Sequence, residues 1–173
     1  MNKITRKAIV IAIIAGILVL LDSIISKLLG QTASFTWIAF VSWTVFFGVT
    51  MKERLKAVLG YVIGFLSAIA IIELGNLVSF MQFNILNFII AIGSIMCTMI
   101  INYLVIELEK TEKIIPYSVS GIFVGIAMTF SGLGVGLSPN TLENSFLMLA
   151  IIVIYGILGL ASGWATLKFG IKD

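Results

Sequence analysis

Few residues in this 173-residue chain could do chemistry, and those that could lie inside apolar segments. Asp22 falls well inside the first apolar run, and Glu73 and Asn76 fall near the end of the third. Ionisable groups at membrane depth often mark a solute or ion pathway. We expect an outer vestibule with negative charge from Asp22 and Glu73, and with Asn76 one turn further on. The alternative is that these groups reach the lipid headgroups, or that Asp22 pairs with Lys27.

Aromatic side chains form a second candidate group. Trp43 falls near the middle of an apolar run, with Phe47 one turn further on, although tryptophan prefers the membrane interface. Its indole N–H needs an acceptor there. We expect Trp43, Phe47 and Phe130 to form a constriction or a stacking surface for a solute. The alternative is that Trp43 is a large core residue bonded to a neighbouring carbonyl.

Several chemistries are excluded by what the sequence lacks. It has no histidine, and its single cysteine, Cys97, lies in an apolar run. An internal disulfide is therefore excluded, and a Cys/His metal site is not expected. There is no nucleophile elbow, phosphate-binding loop or zinc-ligand spacing. We expect no enzyme activity, no metal and no cofactor.

The elements that must position these residues are apolar helices. Hydrophobic residues make up 60% of the chain and charged residues 11%, against about 25% charged in soluble domains. Such a composition requires a lipid bilayer, in which the backbone forms helices. We expect an all-α polytopic membrane helix bundle, one integral domain over residues 1–173. Its six transmembrane helices are predicted at residues 8–29, 32–51, 55–77, 85–106, 114–134 and 146–167.

The basic residues predict the orientation of these spans. The net charge is +3, which in a soluble protein would suggest nucleic acid. If the chain crosses the membrane six times, ten of the eleven Lys and Arg residues lie on the same side of the membrane as the N-terminus. Lys27 lies on the other side. The positive-inside rule then predicts that both termini are cytoplasmic. No nucleic-acid partner is expected.

Small residues at four-residue spacing predict close helix packing, because helices in lipid associate through close backbone approach. The first run carries Ala8, Ala12 and Gly16. Packing positions in the later runs are Gly60, Gly64, Gly121, Gly125, Gly159 and Gly163. Packing within one chain is the main interpretation, and a homo-oligomer seam is the alternative.

The sequence pattern of residues 37–48 recurs in similar form at residues 120–131. Phe40 then aligns with Phe123, and Phe47 with Phe130. The two segments are expected to run in opposite directions. This predicts a 3+3 inverted repeat with halves 1–81 and 82–173, as in many transporters. The alternative is six helices without symmetry.

The motif Trp37-x-x-Phe40-x-Ser42-Trp43, followed by Phe46-Phe47-Gly48 and a basic loop, resembles a family of small bacterial inner-membrane proteins of unknown function, typified by YcdZ. The similarity covers roughly residues 32–168. It implies a multi-pass protein of the bacterial inner membrane and supplies no site residues. One departure is Val49-Thr-Met51, where further small residues are expected.

These features predict a small channel or transporter for a neutral or cationic solute. The alternative is a non-transporting membrane subunit, similar to the substrate-binding components of energy-coupling-factor transporters. In that case the Ala8, Ala12 and Gly16 stripe would dock a partner subunit. Substrate, coupling ion and oligomeric state do not follow from the sequence.

Overall fold

The computed structural model describes residues 3–80, 99, 100, 103, 104, 107, 118–137 and 139–170. These residues include helices and no strand. Five helices have defined bounds: α1 (Lys3–Leu28), α2 (Thr36–Val45), α3 (Met51–Phe80), α4 (Val119–Gly134) and α5 (Leu142–Gly170).

Three of these helices are long and apolar enough to cross a membrane, which needs about 20 apolar residues. They are the segments Arg6–Leu28, Met51–Leu74 and Leu142–Gly170. The molecule is therefore an all-helical protein of membrane type, as its composition predicts.

The expectation of six full-length spans is not shown. The second predicted span, residues 32–51, is wrong in length, because α2 has only 10 residues. At 1.5 Å per residue it is roughly 15 Å long, about half the hydrocarbon thickness. It ends at a turn over Phe46–Gly48, where Gly48 has φ +86°, a conformation that favours glycine. α4 has 16 residues, and the predicted fourth span, residues 85–106, falls almost wholly outside the described residues.

α5 lies at the centre of the described bundle and touches the other four helices. Large side chains such as Ile151 and Tyr155 are fully buried on it. α1 runs antiparallel to α5: Tyr155 bonds Asp22, and at the other end the Arg6 Nε donates to the Phe169 carbonyl at 3.1 Å. The start of α1 and the end of α5 therefore lie together.

Glycine residues form the contact where α3 and α4 cross. A Cβ placed on Gly60 would lie 2.7 Å from Gly121 Cα, and one placed on Gly64 would lie 2.8 Å from Gly125 Cα. No side chain fits between the two backbones at these points. The residue numbers rise together along the contact, so the two helices are parallel.

α2 and α5 cross in the same manner. A Cβ on Gly159 would meet the Ala39 carbonyl oxygen and lie 2.7 Å from Ser42 Cβ. One turn later, a Cβ on Gly163 would lie 3.4 Å from Trp43 Cδ1. This pair is also parallel. The hydroxyls of Ser162 and Thr166 on α5 bond carbonyls of their own helix, which removes their need for an outside partner.

Most described basic residues gather at one end of the bundle. Lys7 lies over the Phe47 ring at 5.3 Å, and Arg54 shares a pocket with Trp164. Lys168 lies over the Trp164 ring at 4.5 Å. The basic end therefore comprises the start of α1, the end of α2, the start of α3 and the end of α5. Lys27 lies at the opposite end of α1.

Candidate functional site

A carboxylate at the end opposite the basic residues collects polar groups from three parts of the chain. Asp22 on α1 is buried, with 5% of its surface exposed. The Tyr155 hydroxyl of α5 donates to its Oδ1 at 2.6 Å, and the Ser34 hydroxyl donates to its Oδ2 at 2.6 Å. The Ser26 hydroxyl and the Phe35 backbone N–H also donate to Oδ1, at 3.2 and 3.0 Å. We call these five residues the Asp22 cluster.

The Asp22 cluster also explains where α2 begins. The helix has Phe35 as its N-cap and receives no side-chain cap of its own. The first N–H groups of a helix lack partners within it, and negative charge beside them is favourable. The Asp22 carboxylate supplies that acceptor from α1, and the Ser34 and Thr36 hydroxyls, 3.3 Å apart, extend the polar group. Asp22 therefore fastens α1 to the start of α2.

No basic side chain neutralises this carboxylate within the part of the chain that the structure describes. Among the described residues, Lys27 is exposed and makes no ion pair with Asp22, whereas Lys56 pairs with Glu53 at 3.7 Å. A buried carboxylate without a cation is costly unless it takes up a proton or a positive ion. The side chains that contact it do so through hydroxyl oxygens, and oxygen ligands suit protons and hard cations.

The structure does not bring Asp22 and Glu73 together. Glu73 is exposed near the end of α3, and the side chain of Asn76 lies outside the described residues. The helices α1 and α3 are not among the pairs that pack closely. In the described ranges, no three Asp, Glu, Cys or His side chains lie close enough to hold a metal.

The aromatic candidates are divided among different environments. Trp43 is buried, stacks on Phe40 with ring centroids 5.9 Å apart and faces Gly163 of α5. Phe47 lies at the basic end beneath Lys7. Phe130 on α4 is 38% exposed. Trp43 is thus a packed residue of the α2–α5 contact, and among the described residues no ring contact joins it to Phe130.

A second buried polar junction joins three helices, and it was not among the sites predicted from the sequence. The Ser42 hydroxyl of α2 donates to the Gly156 carbonyl of α5 at 2.7 Å and lies 2.6 Å from the Tyr61 hydroxyl of α3. The Tyr61 ring fits because residue 156 is glycine: a Cβ there would lie 2.6 Å from Tyr61 Cε2. The available signal was Tyr61 inside an apolar run, since a buried tyrosine hydroxyl needs a polar partner.

The family model described as "protein of unknown function (DUF1097)" matches residues 8–168. The match fits the expectation of an uncharacterised family and does not identify that family with the one typified by YcdZ. No curated protein and no solved structure matches the chain.

Proposed function

Because the chain belongs to the DUF1097 family of proteins of unknown function, we propose its function from its geometry. We propose that it is a channel or transporter in the bacterial inner membrane for a small neutral or cationic solute. Asp22 is the residue that binds a proton or a cation during this process. The pathway passes Trp43, Phe47 and Phe130, and Glu73 and Asn76 lie toward its outer mouth.

The observation that carries the proposal is the buried, unneutralised carboxylate of Asp22. Four hydrogen-bond donors hold it, and none of them carries a positive charge. Two of the donors are the hydroxyls of Ser34 and Tyr155, which can rotate and accept as well as donate. Asp22 can therefore exchange a bound proton for a cation while the same side chains hold it.

An inverted repeat underlies the proposed fold, and the helix contacts support it. Adding 83 to a residue number in α2 gives its counterpart in α4, as in the alignment of residues 37–48 with 120–131. Adding 95 to a number in α3 gives its counterpart in α5. The contact of Gly64 with Ile122 and Gly125 then corresponds to the contact of Gly159 with Ala39 and Ser42, and both are present.

Two further contacts follow the same numbering. A Cβ on Gly125 would lie 2.6 Å from the Tyr61 carbonyl oxygen, and the counterpart of this contact is the bond from Ser42 to the Gly156 carbonyl. In this numbering the counterpart of Tyr61 is Gly156, and the neighbouring Tyr155 is the counterpart of Gly60. Because α3 runs against α5, the matched helices point in opposite directions.

The proposed topology has six spans with both termini in the cytoplasm. The gathering of basic residues at one end supports this orientation. The parallel course of α3 and α4 supports a further crossing between them, because α3 ends at the end of the bundle opposite to the start of α4. The proposal assigns that crossing to residues 85–106, outside the described part of the chain.

Flux measurements on the purified protein in liposomes test the proposal. Small monovalent cations and small neutral solutes are offered in turn, with and without a pH gradient. Asp22→Asn keeps an acceptor for the Phe35 N–H but removes the charge, so we expect at least a tenfold loss of cation-dependent or proton-dependent flux. Glu143→Gln, at an exposed carboxylate in the first turn of α5, is the matched control and should change flux by less than twofold.

Two results would count against the proposal. One is wild-type protein, folded by size-exclusion chromatography, that moves none of these solutes. The other is an Asp22→Asn protein that retains full flux and its proton dependence. Tyr155→Phe removes one hydrogen-bond donor to Asp22 and keeps the aromatic ring against Phe35. It therefore tests the binding of a proton or cation at Asp22 separately from the packing that folding requires.

A non-transporting subunit is the second candidate, and one observation favours it. The stripe of Ala8, Ala12 and Gly16 on α1 is exposed, and a Cβ on Gly16 would meet nothing within 4 Å. Co-expression of partner membrane subunits with the wild type and with Gly16→Leu tests this role. A subunit should lose its partners in the variant while its own fold persists. A protein that transports alone, unaffected by Gly16→Leu, would exclude the role.

A further inference from the structure

An apolar pocket of about 530 Å³ opens between α3 and α5 at the basic end of the bundle. Leu55, Leu59, Ile157 and Trp164 line it, and each is partly exposed, Leu55 by 69%. The pocket is thus open at the side of the bundle, where a membrane places acyl chains. It extends from the basic end toward the Asp22 cluster and shares no residue with that cluster, so lipid binding can be tested separately from transport.

Arg54 is the polar residue in this otherwise apolar lining. It is only 4% exposed, and its Nε has no hydrogen-bond acceptor among the described residues. Its Nη1 lies 3.9 Å from the Met51 sulfur, a weak acceptor. The neighbouring Glu53 pairs with Lys56 instead. A buried polar group without a partner in a folded protein requires an explanation such as an ion or ligand.

The surroundings of Arg54 favour an anion. Lys52 and Lys56 lie in the same first turns of α3, and Lys168 lies over the ring of Trp164 at the pocket. The planar guanidinium matches the oxygens of a phosphate and binds them with charge-assisted hydrogen bonds. An occupant must therefore combine an anionic head with an apolar body.

We propose that this pocket binds an anionic phospholipid from the leaflet at the basic end of the bundle. The phosphate accepts hydrogen bonds from the guanidinium of Arg54, and one acyl chain lies along Leu55, Leu59 and Ile157. The volume lies within the range of about 300–1,000 Å³ found for ligand pockets. Basic pockets between membrane helices on the cytoplasmic side are suited to anionic headgroups.

Native mass spectrometry of the full-length protein tests the proposal. The protein is released from nanodiscs of phosphatidylglycerol and phosphatidylcholine mixed at about one to four, and bound lipid is counted as collision energy rises. We expect one phosphatidylglycerol to be retained by the wild type. Arg54→Met keeps a long apolar side chain and should reduce that retention by about tenfold. Lys27→Met, at an exposed lysine at the opposite end of the bundle, should reduce it by less than twofold.

A second variant fills the pocket without touching the charge. Ala161 lies in the lining and is exposed, so Ala161→Trp should also displace the lipid while Arg54 remains. Equal retention of lipid in Arg54→Met and wild type would overturn the proposal, as would equal retention of phosphatidylcholine. Retention of inorganic phosphate by a protein that retains no phosphatidylglycerol would show an anion site without a lipid, which also overturns it.

Discussion

A single methyl group at Gly64 should separate α3 from α4. The Cβ of Gly64→Ala would meet the Ile122 carbonyl oxygen and lie 2.8 Å from Gly125 Cα. Carbon atoms pack best at about 3.5–4.0 Å, so the helices must move apart by about 1 Å. Overpacking of this kind costs about 1–3 kcal/mol.

Gly16→Ala is the matched control. A Cβ at Gly16 meets nothing within 4 Å, and both substitutions gain the same helix propensity of about 1 kcal/mol. The difference between the two variants therefore isolates the clash. A difference of about 2 kcal/mol corresponds to about a thirtyfold change in the folding equilibrium and to a shift of roughly 4–8 °C in Tm.

The assay is unfolding in a mild detergent with increasing sodium dodecyl sulfate, together with thermal melting followed by size-exclusion chromatography. Gly64→Ala should unfold earlier than wild type, and Gly16→Ala should unfold at the same point or later. Gly159→Ala should behave like Gly64→Ala, because its Cβ would meet the Ala39 carbonyl oxygen. Equal stability of Gly64→Ala and Gly16→Ala would refute the close backbone crossing of α3 and α4.

Three further predictions concern packing, the aromatic residue of α2 and topology. Gly125→Leu should lower folded yield strongly, whereas Leu142→Ala, at a residue 76% exposed, should not; similar yields would place Gly125 on the lipid face. Trp43→Phe should keep the stacking on Phe40 and change solute flux several-fold with a Tm loss of only a few degrees, whereas unchanged flux would leave Trp43 as a packing residue alone. Reporters near residues 82 and 140 should be external, and an external C-terminal reporter would contradict six spans. We expect a cytoplasmic signal from reporters fused after Met1, Lys56, Lys110 and Asp173.

The membrane character of the helices followed from composition, but the length of α2 did not. The apolar run continues from residue 32 to residue 51, so hydropathy cannot detect an end at Val45. The start of α2 depends on a tertiary contact, the bond from the Phe35 N–H to Asp22. The turn after it depends on the positive φ of Gly48. Neither feature has a signal in local periodicity.

The candidate site was predictable in part. The position of Asp22 in a membrane helix singled it out, because charge at that depth needs a reason. Its partners could not be found in the same way, since Tyr155 is 133 residues distant. A count of charges also treats Arg54 and Lys52 alike as loop residues, whereas packing against α5 buries Arg54 and leaves Lys52 exposed.

The two parallel crossings also differ at one matched position. In the proposed repeat, Gly60 and Tyr155 are counterparts, as are Ser118 and Phe35. Gly60 allows the α3 backbone to touch Ser118, whereas Tyr155 places a ring 5.8 Å from Phe35 and extends a hydroxyl to Asp22. In the proposed repeat, the buried carboxylate of Asp22 thus lies in one half only. A conducted ion would encounter unequal barriers from the two sides, and its current–voltage curve in a planar bilayer should rectify.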